Sequence, residues 1–350
     1  MNDHADDPPG STVRTVRVPM AARPYDVIIG HGVRSQVASL LPVDARRAAI
    51  VTQEGIPFDI DPGVAHEVFT IGEGEGHKSL ATIGTLCEGF AAMGLTRNDV
   101  IIGVGGGMVT DIAGFAAAAW HRGVPVVHVS TTLLGMIDAA IGGKTGVNLV
   151  AGKNLVGAFW QPSGVICDLD ALATLAPREM RCGLGEMAKY HFLGGDDLLS
   201  IDLVERIARC VAIKAEIVAA DEREGGRRAL LNYGHTLAHA VEIASDFTLA
   251  HGEAVAIGLI YAAHLARVLG RIDDRRVGEH YDVVGGRYGL QTSLPELDHQ
   301  QLLLLMGRDK KAVAGLTFVL DSANGVEVVP DVPTAAAREA LHEMALLARP

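Results

Sequence analysis

The pattern of apolar residues changes near Pro177, and this change constrains the fold more than any other feature. Before it, short apolar runs rich in β-branched residues alternate with helical stretches. Runs that are apolar on both faces and separated by helices are typical of a parallel sheet covered on both sides. After it, nearly every segment has helical periodicity. We therefore expect an α/β chain, with a Rossmann-like domain over residues 12–176 and then a domain that is all-helical, apart from one hairpin, over residues 177–350.

Individual elements follow from the same pattern, with turn residues marking their ends. The predicted strands are Thr12–Val18 and Tyr25–Gly30, which form a hairpin, then Ala48–Thr52, Val68–Ile71, Val100–Val104, Val124–Val129, Val165–Asp168, and a second hairpin of Leu316–Leu320 and Val326–Val329. The predicted helices are Leu80–Met93, Met108–Ala119, Arg178–Leu193, Leu199–Ala220, Arg228–Ala244, Gly252–Leu269, Arg275–Tyr288, Gln300–Met306 and one from Thr334. Residues 1–11 are predicted to be a disordered tail, and Gly142–Lys144 and Gly152–Lys153 to be loops.

The composition excludes several classes of protein. The 350 residues carry 30 Lys and Arg against 42 Asp and Glu, a formal charge of −12, whereas a surface that binds nucleic acid is normally basic. No apolar run reaches the roughly 20 residues that a membrane-spanning helix needs. The four cysteines are dispersed without a CxxC pair, which suits reduced thiols. We expect a cytoplasmic protein that binds neither nucleic acid nor membrane.

A glycine loop, Gly105–Asp111, joins the strand Val100–Val104 to the following helix. Glycine lets the backbone approach a pyrophosphate, and the amides and dipole at a helix start attract it. Met108 stands where the dinucleotide-binding fingerprint has its third glycine, and no acidic residue follows about twenty positions later. The loop is therefore either a dinucleotide site or only a tight turn. Gly74–Lys78 and Ser130–Leu133 end other strands, where ribose and phosphate contacts are expected.

Histidines and a carboxylate of the second half have the composition of a metal site. His235 and His239 are four residues apart on one helix face, and His251 opens the next helix. Glu186 and Lys189 share a face of another helix. Two or three histidines plus one carboxylate, with an open coordination position, are how catalytic zinc is held, and zinc would acidify a substrate hydroxyl. The alternative is that these are ordinary core or surface histidines.

Lysine is rare in this chain, which has seven lysines and 23 arginines. Because the compact ammonium group of lysine suits phosphate and carboxylate, the lysines are candidate binding residues. Basic residues that stand beside Gly, Asn or Asp predict a site for a small anionic substrate; they are Lys144, Lys153, Lys214, Arg228 and Lys310. Arg227–Arg228 and Lys310–Lys311 could equally be solvated pairs.

Several long motifs follow one another along the chain: Gly105–Asp111, Asp138–Asn148, Gly152–Phe159, Leu231–His239 and His251–Gly252. Together they resemble the 3-dehydroquinate synthase family of sugar phosphate cyclases, and the resemblance extends from Tyr25 to Lys311. It implies an NAD-binding N-terminal domain, a C-terminal domain that binds zinc or cobalt, and a homodimer. It also implies conversion of 3-deoxy-D-arabino-heptulosonate 7-phosphate to 3-dehydroquinate and phosphate, the second step of the shikimate pathway.

By motif position, the resemblance also implies roles for individual residues. The metal ligands would be Glu186, His235 and His251. NAD would be held by Glu75, Lys78, Gly105, Gly106, Gly107, Met108, Val109, Thr110, Asp111, Thr131, Thr132, Lys144, Lys153 and Thr174. The substrate, a seven-carbon keto acid phosphate, would be bound and processed by Arg122, Asp138, Lys153, Asn154, Lys189, Lys214, Arg228, Asn232, His239 and Lys310 or Lys311.

The implied chemistry matches these residue types. One secondary hydroxyl is oxidised by NAD while the metal polarises its oxygen and His239 helps to move its proton. The new carbonyl acidifies the neighbouring C–H, and phosphate, held by Lys153, Asn154 and Lys189, leaves and serves as its own base. The hydride returns, the ring opens, and the enol closes onto the ketone. NAD is regenerated in each turnover, so the implied enzyme is a lyase.

The sequence departs from the family pattern at a few positions. Gly185 stands where most members have Ala, Met187–Ala188 replaces two branched aliphatic residues, and Gln53 replaces an acidic ribose contact. None of these changes removes a ligand, so the alternative is a specialised branch of secondary metabolism, such as an aminodehydroquinate synthase. Relatives that cyclise sedoheptulose phosphate would be expected to alter Asn232 and His239, and both are kept.

Two other classes of function are open at this point. A metal- and NAD-dependent alcohol dehydrogenase of the glycerol type resembles this family in architecture, but it would accumulate NADH and would not need Lys153 and Asn154 for a phosphate. A noncatalytic regulator would bind no metal, so that Glu186→Gln would change only its stability.

Overall fold

The computed structural model describes residues 13–195, 197–308 and 316–347. Within these residues the strands are β1 (Arg14–Val18), β2 (Tyr25–Gly30), β3 (Arg47–Gln53), β4 (Ala65–Ile71), β5 (Val100–Gly105), β6 (Val126–Ser130), β7 (Lys144–Leu149), β8 (Gly152–Phe159), β9 (Gly164–Asp168), β10 (Leu316–Leu320) and β11 (Glu327–Val332). The helices are α1 (Leu80–Met93), α2 (Gly107–Ala119), α3 (Pro177–Gly194), α4 (Leu203–Ala220), α5 (His235–Ala244), α6 (His251–Val268), α7 (Asp274–Tyr281), α8 (His299–Arg308) and α9 (Thr334–Leu347).

The chain divides into two compact units. Of the described residues, the first unit contains those up to Leu175 together with Ile201–Ala219, and the second contains those of Ala176–Ser200 and those from Ala220 onward. This division differs from the predicted continuous domain 177–350, because α4 packs with the first unit. The predicted tail, residues 1–11, lies outside the described residues.

Seven strands of the first unit form one sheet in the order β1-β2-β9-β6-β5-β3-β4. β1 and β2 are antiparallel, as the predicted hairpin requires, and the other neighbours are parallel. Alternate residues of a strand face opposite sides of the sheet. Val51 and Ile101 pack in the core that contains α1 and α2, whereas Ile50 and Ile102 pack in a second core. The predicted α/β fold, with a parallel sheet buried on both faces, is confirmed.

The order of the strands reverses between β3 and β5. From β3 the chain goes outward to β4, and it then crosses back to β5, β6 and β9 on the other side of β3. Ligands of open α/β sheets bind beyond the carboxyl ends of the strands where the order reverses. Because the glycine loop directly follows β5, the topology places it at this point.

The predicted loops at Gly142–Lys144 and Gly152–Lys153 are wrong in part. Lys144 begins β7, and Gly152 and Lys153 begin β8, which pairs with β7 as an antiparallel two-stranded sheet. Gly146 and Gly157 face each other in this hairpin, where a Cβ on either would overlap the backbone of the other strand. The glycines therefore allow close strand pairing here rather than marking a loop.

Helix α6 is the centre of the second unit and is buried along almost its whole length. α3, α5, α7 and α9 pack against it. The predicted hairpin near the end of the chain is confirmed as β10 and β11, with Phe318 opposite Val329, and the Phe318 ring contacts Tyr261 of α6. Among the described residues, no helix is both long enough and apolar enough to cross a membrane.

Several predicted helices of this unit are shorter than expected. The segment 228–244 is not one helix, since a 3-10 turn at Arg227–Asn232 precedes α5 and Gly234 between them has a left-handed φ of 80°. The predicted helix Arg275–Tyr288 ends as an α-helix at Tyr281 and continues as a π-helical turn. Helical periodicity is maintained across these breaks, which is why the sequence did not show them.

Candidate active site

Three side chains of the metal-ligand type meet where the starts of two helices reach the middle of a third. Glu186 lies on α3, while His235 and His251 are the first residues of α5 and α6. Glu186 Oε1 is 3.2 Å from His235 Nε2 and 3.1 Å from His251 Nε2. Four ligands about 2 Å from a zinc ion form a tetrahedron with edges of about 3.3 Å. These two separations fit a zinc-sized ion, so the predicted group remains the candidate metal site.

Glycines bring the three helices together. A Cβ on Gly185 would overlap the Gly252 carbonyl oxygen, and one on Gly258 would overlap the Gly234 carbonyl oxygen. α6 thus contacts α3 and the start of α5 backbone to backbone. Three of these four glycines directly adjoin the three ligands in sequence: Gly185 precedes Glu186, Gly234 precedes His235, and Gly252 follows His251.

The electrostatics of the group centre on the buried Glu186 carboxylate. Lys189, which is equally buried, places Nζ 2.5 Å from Glu186 Oε2. Burial alone would raise the pKa of Glu186, but the charge of Lys189 and the contacts with His235 and His251 outweigh it and hold that pKa well below its ordinary value. Burial lowers the pKa of His235, which favours the neutral imidazole that a metal needs.

His251 has two carboxylate neighbours. Its Nδ1 lies 3.1 Å from Glu242 Oε2, on the opposite side of the ring from Glu186. Burial would lower the pKa of His251, but the hydrogen bonds to Glu186 and Glu242 raise it to about 10. Without a metal the imidazole is therefore protonated at neutral pH, and a bound cation must displace that proton.

His239 lies one turn after His235 on α5, and its ring centre is 5.6 Å from that of His235. In the described part of the chain, His239, Glu242 and His251 form a second group whose ligand atoms lie within 4.8 Å of one another. Glu242 was not among the predicted site residues. Its spacing of three residues from His239 was the available signal, because that spacing puts both side chains on one helix face.

The glycine loop begins α2 with Gly106 as its N-cap and Gly107 as its first residue. A Cβ on Gly106 would lie 2.9 Å from Thr132 Cγ2, and one on Gly107 would lie 3.0 Å from the Ala139 Cβ. Packing therefore accounts for these glycines even without a ligand. The unpaired amides at the start of α2 still favour an anion at the reversal point of the sheet.

Lys78 is the centre of a polar network in the first unit. Its buried Nζ donates hydrogen bonds to Asp111 Oδ2 and Asn154 Oδ1, both at 2.6 Å. The main-chain N–H of Asn154 donates to Asn148 Oδ1, and Asn148 Nδ2 donates to Glu75 Oε2. The network joins the β7–β8 hairpin to α2. Asn148 ends the motif Asp138–Asn148, but no role was predicted for it.

Carboxylates also hold the other buried ammonium group of this unit. Lys214 on α4 donates to the Asp138 carbonyl oxygen at 2.7 Å and lies 3.0 Å from Asp138 Oδ1. At the Lys78 network, burial raises the pKa of Asp111 to about 6, although the Lys78 charge opposes the shift. The structure thus pairs Lys78 with Asp111 and Lys214 with Asp138, four residues to which the resemblance assigns separate ligand contacts.

Residues of the second unit near Arg228 form a tight turn. The Arg228 amide donates to Asp221 Oδ2 and its guanidinium donates to the Glu222 carbonyl oxygen, so this arginine is buried. Asn232 Nδ2 donates to Glu224 Oε1 at 3.3 Å. These contacts fix the turn that leads into His235.

The other predicted site residues that the structure describes lie outside the metal group and the Lys78 network. Lys144 and Lys153 are exposed on the β7–β8 hairpin, and Thr174 is exposed on a 3-10 turn after β9. The Thr131 amide donates to the Gly105 carbonyl oxygen, beside the glycine loop. Arg122 follows the carboxyl end of α2, and about 20 Å of helix separates it from the glycine loop. The structure therefore does not bring Arg122 near that loop. Lys310 and Lys311 lie outside the described residues.

Comparison with known proteins gives matches over most of the chain. The family model of the 3-dehydroquinate synthase N-terminal domain matches residues 68–182, and that of the C-terminal domain matches residues 183–312. A protein of Amycolatopsis mediterranei (strain S699) that carries the provisional name aminodehydroquinate synthase is 51% identical over 334 residues, 94% of each chain. The 3-dehydroquinate synthase of Thermobifida fusca (strain YX) is 43% identical over 293 residues, 77% of this chain and 79% of that one.

Solved structures of other proteins are also similar to this chain over most of its length. A 2-deoxy-scyllo-inosose synthase complexed with carbaglucose-6-phosphate, NAD+ and Co2+ has a TM-score of 0.84 at 26% identity, covering 94% of this chain and all of that one. The 2-epi-5-epi-valiolone synthase of Streptomyces hygroscopicus subsp. jinggangensis 5008, with NAD+ and Zn2+ bound, has a TM-score of 0.79 at 26% identity, covering 92% and 97%. The chain belongs to the 3-dehydroquinate synthase family.

Proposed function

We propose that the chain is a phosphate-eliminating cyclase that depends on NAD and a divalent metal, and that it converts 3-deoxy-D-arabino-heptulosonate 7-phosphate to 3-dehydroquinate and phosphate. The observation that carries the proposal is the group formed by Glu186, His235 and His251, in which Glu186 Oε1 lies at tetrahedral separations from both imidazoles and all three ligand atoms lie within 4.8 Å of one another. Family membership favours a cyclase over the alcohol dehydrogenase that the sequence left open.

Each unit supplies a different part of the chemistry. Glu186, His235 and His251 would hold zinc or cobalt, and the glycine loop with Lys78 and Asp111 would hold NAD. When bound, the metal supplies Lewis-acid polarisation of a substrate hydroxyl and NAD supplies reversible hydride transfer.

Side chains of the protein would move protons and hold charges. His239 accepts the proton of the polarised hydroxyl and later returns it. Because Asn154 Oδ1 accepts from Lys78, its amide group is oriented to donate, which suits a phosphate oxygen next to Lys153. Lys189 keeps Glu186 ionised as a metal ligand.

A second candidate substrate is the amino analogue. It is favoured by one observation: the relative with the provisional aminodehydroquinate synthase name has higher identity and coverage than the 3-dehydroquinate synthase of T. fusca. The metal and glycine-loop geometry is common to both reactions and does not distinguish them.

The test is to incubate the purified protein with NAD, zinc and each of the two seven-carbon acid phosphates. We expect phosphate and a carbocyclic product to form in equal amounts, with no net NADH absorbance, and kcat/KM then identifies the preferred substrate. Accumulation of NADH would instead support a dehydrogenase. No turnover by wild type, together with no effect of Glu186→Gln beyond stability, would support a noncatalytic role.

We also propose that the protein is a cytoplasmic homodimer, as its family resemblance implies. All four cysteines are free thiols, three of them buried, which suits a reducing compartment. Light scattering of the purified protein measures the oligomeric state, and a monomeric mass would contradict this part of the proposal.

A further inference from the structure

Glu242 lies against a metal ligand but on the side away from the metal group. It is on α5, its side chain is buried, and Oε2 is 3.1 Å from His251 Nδ1. The other nitrogen of the same ring, Nε2, is 3.1 Å from Glu186 Oε1. His251 is therefore held between two carboxylates on different helices.

The two ring nitrogens of imidazole point in different directions, so they cannot serve one ion together. An ion seated between Glu186 and His235 uses His251 Nε2, and Nδ1 is then left to donate a hydrogen bond. Glu242 is the acceptor in place for that bond. Such an outer carboxylate fixes the tautomer and orientation of a histidine ligand and makes it a stronger base toward the metal.

The other histidine ligand has a different outer partner. His235 Nδ1 lies 3.1 Å from the carbonyl oxygen of Tyr233, which is neutral. The two imidazoles of the metal group are thus inequivalent, since one has a charged acceptor behind it and the other a main-chain carbonyl. Loss of Glu242 removes the stronger of the two supports.

We propose that Glu242 is a positioning residue that orients His251 and strengthens its bond to the metal, a role that rests on the proposed metal-dependent function. The competing role is as a ligand of its own ion, with His239 and His251. Positioning is favoured because two short separations meet at Glu186 Oε1, so that an ion there uses His251 Nε2 and leaves Nδ1 facing Glu242.

The experiment is a titration of metal-free protein with Co2+, followed by the visible absorption of the bound ion. It compares wild type with Glu242→Gln, which keeps an acceptor oxygen but loses the charge, and with Glu242→Ala, which loses both. Glu343→Gln is the matched control, because Glu343 Oε2 faces His264 Nδ1 of the same helix α6 at 3.6 Å, outside the metal group.

We expect one Co2+ per chain, with the Kd raised about 10- to 100-fold by Glu242→Ala, raised less by Glu242→Gln with a shifted spectrum, and unchanged by Glu343→Gln. Thermal unfolding of the metal-free variants checks that they fold, and the nearly isosteric Gln variant decides the matter if the Ala variant does not. Wild-type affinity and spectrum in a folded Glu242→Gln would overturn the positioning role, as would two Co2+ sites of which Glu242→Ala abolishes only one. If the wild type binds no Co2+, the proposed function itself fails.

Discussion

Among the described residues, Lys78, Lys189 and Lys214 are buried beside carboxylates, and this pairing makes their charges important for stability. Lys189 and Glu186 are both 1% exposed, so their attraction is poorly screened, and each is the main reason that the other can be buried. Exposed pairs such as Arg275–Glu279 contribute little, because water screens them. Substitutions of charged residues should therefore lower the free energy of unfolding strongly at the metal group and very little at the surface.

Lys189→Met should destabilise the metal-free protein at pH 7. Removing one partner of a buried pair costs about 3–5 kcal/mol, and we expect the lower end because His251 also lies near Glu186. Urea denaturation of the chelator-treated protein measures the loss. Arg275→Met is the control and should change the free energy of unfolding by less than about 0.5 kcal/mol; equal effects of both substitutions would refute the argument.

His280 should make stability depend on pH. Its ring stacks on Phe192 at 4.0 Å, Nε2 is 2.7 Å from the Tyr233 hydroxyl, and Nδ1 is 2.8 Å from the Arg276 carbonyl oxygen. Burial lowers the pKa of His280 to about 4, from 6.5. The unfolded chain therefore takes up a proton first, and the stability present above pH 6.5 is lost as the pH falls toward 4.

His280→Gln should flatten this dependence, whatever its effect at pH 7. Urea unfolding at pH 7 and pH 5 gives the difference, which we expect to be smaller in the variant than in wild type. His342→Gln, at an exposed histidine of α9, should keep the wild-type difference. A variant that loses as much stability as wild type between the two pH values would show that His280 is not the responsible group.

At the scale of elements, helix contacts at glycines determine where the metal ligands lie. Gly258→Ala would place a methyl group on the Gly234 carbonyl oxygen and push α6 from the start of α5, which carries His235. We expect a loss of stability of about 1–3 kcal/mol and weaker Zn2+ binding, measured by urea denaturation and by competition with a chromogenic chelator.

The control for this substitution is Gly278→Ala on α7. A Cβ there would meet no atom within 4 Å, so the change should stabilise the protein by about 0.5–1 kcal/mol, as alanine does in open helices, and leave Zn2+ affinity unchanged. Equal Zn2+ affinity in both variants would show that the glycine contact does not set the ligand positions.

Prediction from sequence succeeded where one element has one clear pattern. α1 has the predicted limits, and α2 begins one residue earlier than predicted. It failed at the β7–β8 hairpin, where Gly, Lys and Asn interrupt the alternation of a strand. The scarcity of lysine was informative, because Lys78, Lys189 and Lys214 are all buried beside carboxylates. The spacing of Glu242 from His239 indicated a shared helix face, but its contact with His251 could not be predicted, because that contact depends on how α5 meets α6.

At the scale of the whole molecule, the two proposed cofactors belong to different units. A ligand that binds only the native state stabilises it, by about 2.7 kcal/mol at a concentration 100 times its Kd. Zn2+ should therefore slow amide hydrogen exchange most in α3, α5 and α6, and NAD should slow it most in the loop Gly105–Asp111. Mass spectrometry of exchanged peptides, with each ligand added separately, measures this.

Glu186→Gln provides the control for that experiment. It should abolish the protection by Zn2+ and keep the protection by NAD, because Glu186 lies in the second unit and the glycine loop in the first. Protection by Zn2+ that is concentrated in the first unit, or that survives in the variant, would contradict the assignment of the metal to Glu186, His235 and His251.

The backbone contacts of Gly185, Gly234, Gly252 and Gly258 have one more consequence. Spacing fixed by main-chain atoms does not drift when nearby side chains are exchanged. Substitutions of other residues around the ion can therefore adapt a family member to another sugar while the metal ligands keep their positions. This architecture separates the part of the enzyme that can diversify from the part that cannot.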